Sequence, residues 1–281
     1  MKILITGCNG FLGREFSEYF SKHELFLANR QNLDLSSSDT VDNFFNNNKV
    51  DMVLHTAIEG GRRNQIDTYD TMCKNLIMFG NLIKHVDKFK LMINFGSGAE
   101  FDRRRNISLL CERDIEGSWP VDYYGLSKRV ITSEICKSNN IFNMRLFGCF
   151  GPHEASNRFI KASLSRLLSG EKILIHQNKY MDFFFAEDLC RVVDYYSKQD
   201  TSHLYKDLNM CYTKKQSLQD IANIICEVAE VNPSKNIQIQ NINNSGILSY
   251  TGDGIRLRSL KIDLVGLQGG IRKVYERIRQ S

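Results

Sequence analysis

The sequence lacks any CxxC pair. Its eight cysteines, at positions 8, 73, 111, 136, 149, 190, 211 and 226, are scattered, and no His/Cys cluster has zinc-site spacing. That excludes a zinc-finger scaffold and reads as reduced packing residues. No block of five or more like charges occurs. The densest run is Arg103-Arg104-Arg105, which reads as a solvated loop. A net charge of +5 suits an anionic small substrate and does not call for nucleic acid. No apolar run reaches transmembrane length, so no membrane partner is expected. The first residues, "MKILITG", read as a strand rather than a signal peptide, and a cytoplasmic protein is expected. There is no internal repeat.

What is present is an alternation. "KILITG" is a short apolar run, and "GREFSEYFSKH" has helical spacing. "ELFLANR", "VDMVLHTA", "KLMINFGSG" and "NIFNMRLFGCFGP" read as four further strands. Between them lie helices beginning at a serine cap in "SSSDT", over Tyr69 to Val86, and from Tyr124 to about Ser138. Strand and helix in turn predict an α/β fold with a doubly wound parallel sheet. Hydrophobic residues at 42% and charged residues at 25% allow a core of that size. The expected division is a dinucleotide-binding domain over 1–150 and a smaller substrate-binding lobe over 151–281, some of whose segments return to the first. In that lobe "RFIKASLSRLLSG", "AEDLCRVVDYYSK", "SLQDIANIICEVAEV" and the tail "GLQGGIRKVYERIRQ" read as helices and "KILIHQ" as a strand. Residues 233–258 are polar and Asn-rich.

"TGCNGFLG" sets Gly7, Gly10 and Gly13 directly after the first strand, where the first helix begins. A pyrophosphate there needs a tight turn, a close backbone approach and the N–H groups of a helix N-terminus. In that context the pattern points to a bound dinucleotide. Phe11 and Leu12 between the glycines, and Ala57 at the end of the third strand, are placed with it. An NAD site carries an acid at the end of the second strand; here Arg30 stands there, and a guanidinium pairs with a 2′-phosphate. NADPH is therefore expected over NADH, with Asp34 and Leu35 toward the adenine.

The fourth strand delivers Ser97 to the carboxyl edge of the sheet, where ligands bind. "DYYGLSK" places Tyr124 and Lys128 four apart on one helix face, with Tyr123 left to packing. A carbonyl that gains a hydride needs a proton at its oxygen. A tyrosine of ordinary pKa about 10 serves when a lysine ammonium is near, and a serine hydroxyl holds the oxygen. His55, His153 and His176 receive no catalytic role.

The glycine loop, the strand-end serine and YxxxK together resemble the extended short-chain dehydrogenase/reductase (epimerase/dehydratase) family over essentially the whole chain. "MRLFGCFGPHE" and "KYMDFFFAEDL" resemble its later segments. The resemblance implies a Rossmann lobe for NAD(P), a small C-terminal lobe for a nucleoside-diphosphate sugar, and a homodimer built on the Tyr69–Val86 and Tyr124 helices. Within the family the chain resembles GDP-fucose synthase and other 4-keto-sugar reductases. The departures narrow the reaction. Ala99 and Arg158 stand where an epimerising cysteine and histidine would be. Gly98 and Ala99 replace the Asp–Glu pair of dehydratases, and Glu100, one residue late, is expected to point elsewhere on an extended chain. Gly148 and Met181 replace an asparagine and a diphosphate-clamping arginine. Asn157, Arg158, Lys179, Arg256 and Arg258 are the expected sugar-nucleotide contacts. The implied activity is NADPH-dependent reduction of the C4 ketone of a nucleoside-diphosphate 4-keto-6-deoxy sugar, with GDP preferred over CDP and dTDP, for surface polysaccharide. A 4-epimerase retaining NAD and a non-catalytic nucleotide-binding protein are the alternatives.

Overall fold

A computed structural model describes residues 1–62, 66–241 and 248–280; residues 242–247 of the Asn-rich stretch lie outside the described residues. The chain forms two compact units. The first comprises Met1–Arg103, Glu112–Arg145 and Val192–Leu208. The second comprises Arg104–Cys111, Leu146–Arg191 and Asn209–Ser281.

The first unit is built on a six-stranded parallel sheet. Its strands are β1 (Lys2–Thr6), β2 (Glu24–Ala28), β3 (Met52–His55), β4 (Leu91–Ser97), β5 (Ile141–Leu146) and β6 (Asp207–Met210). The spatial order is β6-β5-β4-β3-β1-β2. From β1 the chain moves outward to β2, then crosses to β3 on the other side. That reversal opens a crevice beyond the carboxyl ends of β1 and β3. The register holds those ends level: Thr6 pairs with both Ala28 and His55, and His55 with Asn94.

The inner strands are buried on both faces, as parallel strands between helices must be. One face carries Leu4, Val53 and Met92. They pack with Val41 and Phe45 of α2 (Ser38–Asn47) and with Phe79 and Leu82 of α3 (Tyr69–Ile83). Toward the other face, the ring of Phe16 on α1 (Phe11–Tyr19) lies 5.0 Å from that of Phe95. Capping follows local chemistry. Ser37 and Thr68 accept N–H bonds at the starts of α2 and α3. Asp122 does so for α4 (Tyr123–Ile135), taking Gly125 N–H at 2.8 Å.

The second unit has its own core, in which Phe150, Ile160, Leu164, Ile173, Ile221 and Ile271 are fully buried. Its helices Phe159–Leu168, Leu218–Val228 and Gly266–Gln280 and its strand Ile173–Gln177 fall where the periodicity puts them. Strands Ile107–Leu110, Ile237–Asn241 and Tyr250–Gly252 also form, beyond the elements expected from the sequence. All eight cysteines are free, and five of them are buried. Among the described residues, no helix is long and apolar enough to cross a membrane.

Candidate active site

The glycine loop turns at Gly7, whose φ of +63° is open to glycine. A Cβ there would lie 2.8 Å from Ala57 Cα, so the loop and the exit of β3 touch backbone to backbone. Gly13 is tighter: its Cβ would stand 2.4 Å from Gly7 O and 2.6 Å from Cys8 Cα. Gly10 caps α1 with no side-chain bond, and Phe11 and Leu12 open the helix half-buried. The first N–H groups of α1 are thus left to a ligand. These features fit a dinucleotide pyrophosphate.

The adenosine end is less simple. Arg30 is largely exposed, and its guanidinium is ion-paired with Glu59. Asp34 spends its carboxylate on Ser36, accepting from the hydroxyl at 2.6 Å and from N–H at 2.9 Å, and those bonds hold it below the usual carboxylate range. The Leu35 side chain is buried in the core with Val41 and Phe45.

Ser97 ends β4, and the hydroxyls of Ser97 and Tyr124 are hydrogen-bonded to one another. Ser97 Oγ accepts from Ala99 N–H at 3.1 Å, which leaves its own proton to give. Tyr124 follows Tyr123 at the start of α4. A Cβ at Gly61, where φ is +71°, would lie 2.7 Å from the Tyr124 ring, so this glycine lets the loop after β3 lie on the tyrosine. Lys128 is buried and donates to Phe95 O at 2.7 Å.

Burial pushes the Tyr124 phenol up to about 12; the Ser97 bond pulls it down, Glu100 pushes it up and Arg103 pulls it down. Burial also pulls the Lys128 ammonium down to about 8, against the Glu100 carboxylate. Tyr124 is therefore a proton donor through the neutral range, and Lys128 is charged below about 8. His55 is buried with Nδ1 3.0 Å from Thr6 Oγ1, and burial brings it to about 3, the Lys128 charge adding to this, so it is neutral. Tyr123 is exposed, edge-on to Tyr69 at 6.2 Å.

Two residues take parts that the sequence reading did not give them. Glu100 does not lie on extended chain. Gly98–Glu100 is a 3-10 turn, and its carboxylate returns to accept Ser97 N–H at 2.8 Å. The signal was there: Ser97-Gly98-Ala99-Glu100 is a capping box. Arg103 is not simply solvated; it pairs with the α4 cap Asp122 at 2.8 Å.

Asn157, Arg158, Lys179, Arg256 and Arg258 all belong to the second unit. Asn157 and Arg258 are exposed, and Arg158, Lys179 and Arg256 are half-buried. Arg158 caps helix Phe159–Leu168, and Lys179 O accepts from Leu218 N–H at 2.9 Å. Beside Met181, Asp182 is bound through both oxygens by Lys215 Nζ at 2.9 Å.

The model of the NAD dependent epimerase/dehydratase family matches residues 3–211. Among solved structures, the chain is similar to a GDP-mannoheptose C4 reductase from Campylobacter jejuni with NADP bound. The TM-score is 0.83 at 21% identity, covering 99% of this chain and 98% of that one. It is also similar to a GDP-L-fucose synthetase from Naegleria fowleri (TM-score 0.82, 15% identity, 100% and 93% covered). A UDP-N-acetylglucosamine 4-epimerase from Bacillus cereus is a third (TM-score 0.78, 19% identity, 99% of each covered). At these identities the likeness is one of fold.

Proposed function

The chain belongs to the NAD dependent epimerase/dehydratase family, and from that premise we propose that it is an NADPH-dependent oxidoreductase acting on a nucleotide sugar. More narrowly, it reduces the C4 ketone of a nucleoside-diphosphate 4-keto-6-deoxy sugar, with GDP the preferred base. The observation that carries this reading is the Ser97–Tyr124 hydroxyl pair with a tyrosine held protonated, beside Gly98 and Ala99 that offer no second acid or base. Elimination or inversion beside the ketone needs such a group; reduction does not.

When bound, the nicotinamide cofactor supplies the hydride. Ser97 donates a hydrogen bond from its hydroxyl to the ketone oxygen and fixes its place. Tyr124 gives its proton to that oxygen as negative charge develops there. Lys128, charged and buried, favours the tyrosinate left behind. The sugar nucleotide is held by Asn157, Arg158, Lys179, Arg256 and Arg258, and a homodimer and a role in surface-polysaccharide synthesis belong to the same proposal. The test is NADPH oxidation with GDP-, CDP- and dTDP-4-keto-6-deoxyhexoses and a 4-keto-heptose analogue. Stoichiometric oxidation with one of them establishes the reductase; no oxidation with any of them rejects it.

The pH profile follows. Lys128 has its pKa lowered to about 8, so the reactive cation is present below that value and lost above it. kcat/KM for reduction is expected to stay level from about pH 6 to 7.5 and to fall about tenfold per unit above about 8.5. A profile flat to about pH 10 would remove Lys128 from this role.

A second reading, a 4-epimerase retaining NAD, is favoured by one observation: Glu59 already occupies the Arg30 guanidinium. A 2′-phosphate would have to displace that carboxylate. Arg30→Ala is expected to raise the KM for NADPH about tenfold, about 1.4 kcal/mol, with little effect on NADH. Glu59→Gln should lower it. Equal effects on both cofactors, with sugar isomers appearing by NMR and no net oxidation, would favour the epimerase.

A further inference from the structure

We propose that Glu100 is a positioning residue that locks Ser97 and the helix carrying Tyr124 and Lys128 into one register. Its carboxylate is fully buried and is shared among three elements. Oε1 accepts Ser97 N–H at 2.8 Å, at the end of β4. Oε2 accepts the Thr132 hydroxyl at 2.9 Å, one turn beyond Lys128 on α4. The same Oε2 takes Arg145 of β5, from Nε at 3.0 Å and Nη2 at 2.9 Å.

The surroundings are built to admit this group. A Cβ at Gly96 would stand 2.4 Å from Glu100 Oε1 and 2.6 Å from Asn143 Nδ2, so only glycine at that point of β4 leaves room. Arg145 Nη2 also donates to Asp207, at 2.5 Å. Asn143 ties Asp207 (2.9 Å) to Thr132 (3.1 Å), and Asn94 donates to Asn143 at 2.8 Å. The turn Gly98–Glu100 therefore has no freedom to move Ser97 independently of α4. A ketone held by Ser97 and protonated by Tyr124 needs both hydroxyls at fixed separation, and a misplacement of about 1 Å costs on the order of a hundredfold.

Glu100 has a second consequence through charge. The titratable groups that act on or are acted on by Lys128 are His55 of β3 and Glu100 after β4. Of these, the carboxylate supports the ammonium, whereas burial opposes it. His55 is neutral and contributes no countercharge.

The kinetic arm of the test rests on the reductase reading; the spectroscopic arm does not. In the full chain, Glu100→Gln keeps the size of the group and removes its charge. The Lys128 ammonium is followed by NMR on 15N-lysine-labelled protein, its signal assigned by its loss in Lys128→Met. Glu100→Gln is expected to move the Lys128 midpoint about one unit to lower pH. It should lower kcat roughly 10- to 100-fold with both KM values within about twofold. Thr132→Val, which removes the helix tie and keeps the charge, should lower kcat about 3- to 10-fold with the midpoint unmoved. A purely structural Glu100 would reduce thermal stability and leave midpoint and kcat per folded molecule unchanged, which overturns the proposal. If Glu100→Gln does not fold, Thr132→Val decides, and an unchanged kcat overturns it. If the wild-type chain reduces no sugar nucleotide, the reductase reading fails, and the NMR midpoint alone decides for or against Glu100.

Discussion

Tyr124→Phe lowers the turnover for ketone reduction by roughly 10²- to 10⁴-fold, the range for loss of a positioned proton donor. The ring stays, so its packing against Gly61 stays. What is lost is one oxygen, together with its hydrogen bond to Ser97. Cofactor binding is expected within about twofold of the parent, since the loss is of a group needed in the transition state rather than in the ground state. Titration of cofactor fluorescence and stopped-flow NADPH oxidation separate the two quantities. Near-parent turnover in the variant would mean that the proton comes from elsewhere, and the assignment of Tyr124 would be withdrawn. A parallel loss of cofactor affinity would point to a collapsed site instead.

Gly13→Ala is expected to reduce cofactor affinity by at least about a hundredfold, about 2.7 kcal/mol. The added methyl would meet Gly7 O at 2.4 Å and Cys8 Cα at 2.6 Å, both backbone atoms. Neither can rotate aside, so the loop must shift away from α1. Substitutions at three other glycines calibrate this. At Gly10 the nearest atom is a single carbonyl oxygen at 3.2 Å, and a smaller loss is expected. At Gly80, within α3, no heavy atom lies within 4 Å, and Ala should stabilise the helix by about 0.5–1 kcal/mol. At Gly96 the obstacle is the Glu100 carboxylate, so turnover should suffer before cofactor binding does. Isothermal titration with NADPH across the four variants checks the order. Equal affinities for Gly13→Ala and Gly10→Ala would show that the loop yields more readily than its packing implies.

Much of the first unit was legible because its strands are apolar runs and its helices have caps with named chemistry. β1, β3 and β4 are buried along nearly their whole length, and hydrophobicity announces them. β6 was not read, and the reason is physical. "DLNM" carries Asp207 and Asn209, which look like turn residues. Both are buried because partners receive them: Arg145 and Asn143 for Asp207, and the Leu110 carbonyl at 2.9 Å for Asn209. A strand whose burial is bought by polar pairing leaves no hydrophobic trace.

The same limit applies to the site. Ser97, Tyr124 and Lys128 were legible as types at a spacing, and the structure brings the Ser97 and Tyr124 hydroxyls together. Glu100 differs from its expected direction because the chain turns at Gly98–Glu100, where an extended backbone would send the side chain elsewhere. The partnership of Arg30 with Glu59 joins the exits of two strands far apart in sequence, and no local pattern encodes it. Leu35 shows the converse, a residue assigned to a ligand by its position whose side chain sits in the core.

The first unit is discontinuous along the chain, and this bears on how the protein is made. During vectorial synthesis, β1 to β5 leave the ribosome well before Val192–Leu208 does. Arg145 waits 62 residues for Asp207, and Asn143 N–H waits for the Lys206 carbonyl that it meets at 2.8 Å in the finished sheet. Through that interval the nascent sheet ends at β5 with an open edge, the kind of surface that recruits chaperones or pairs with a neighbour. A gene fragment stopped at residue 150 would make that transient state permanent. Expression trials that cut the chain for a cofactor-binding module should therefore retain residues through 210, the end of β6.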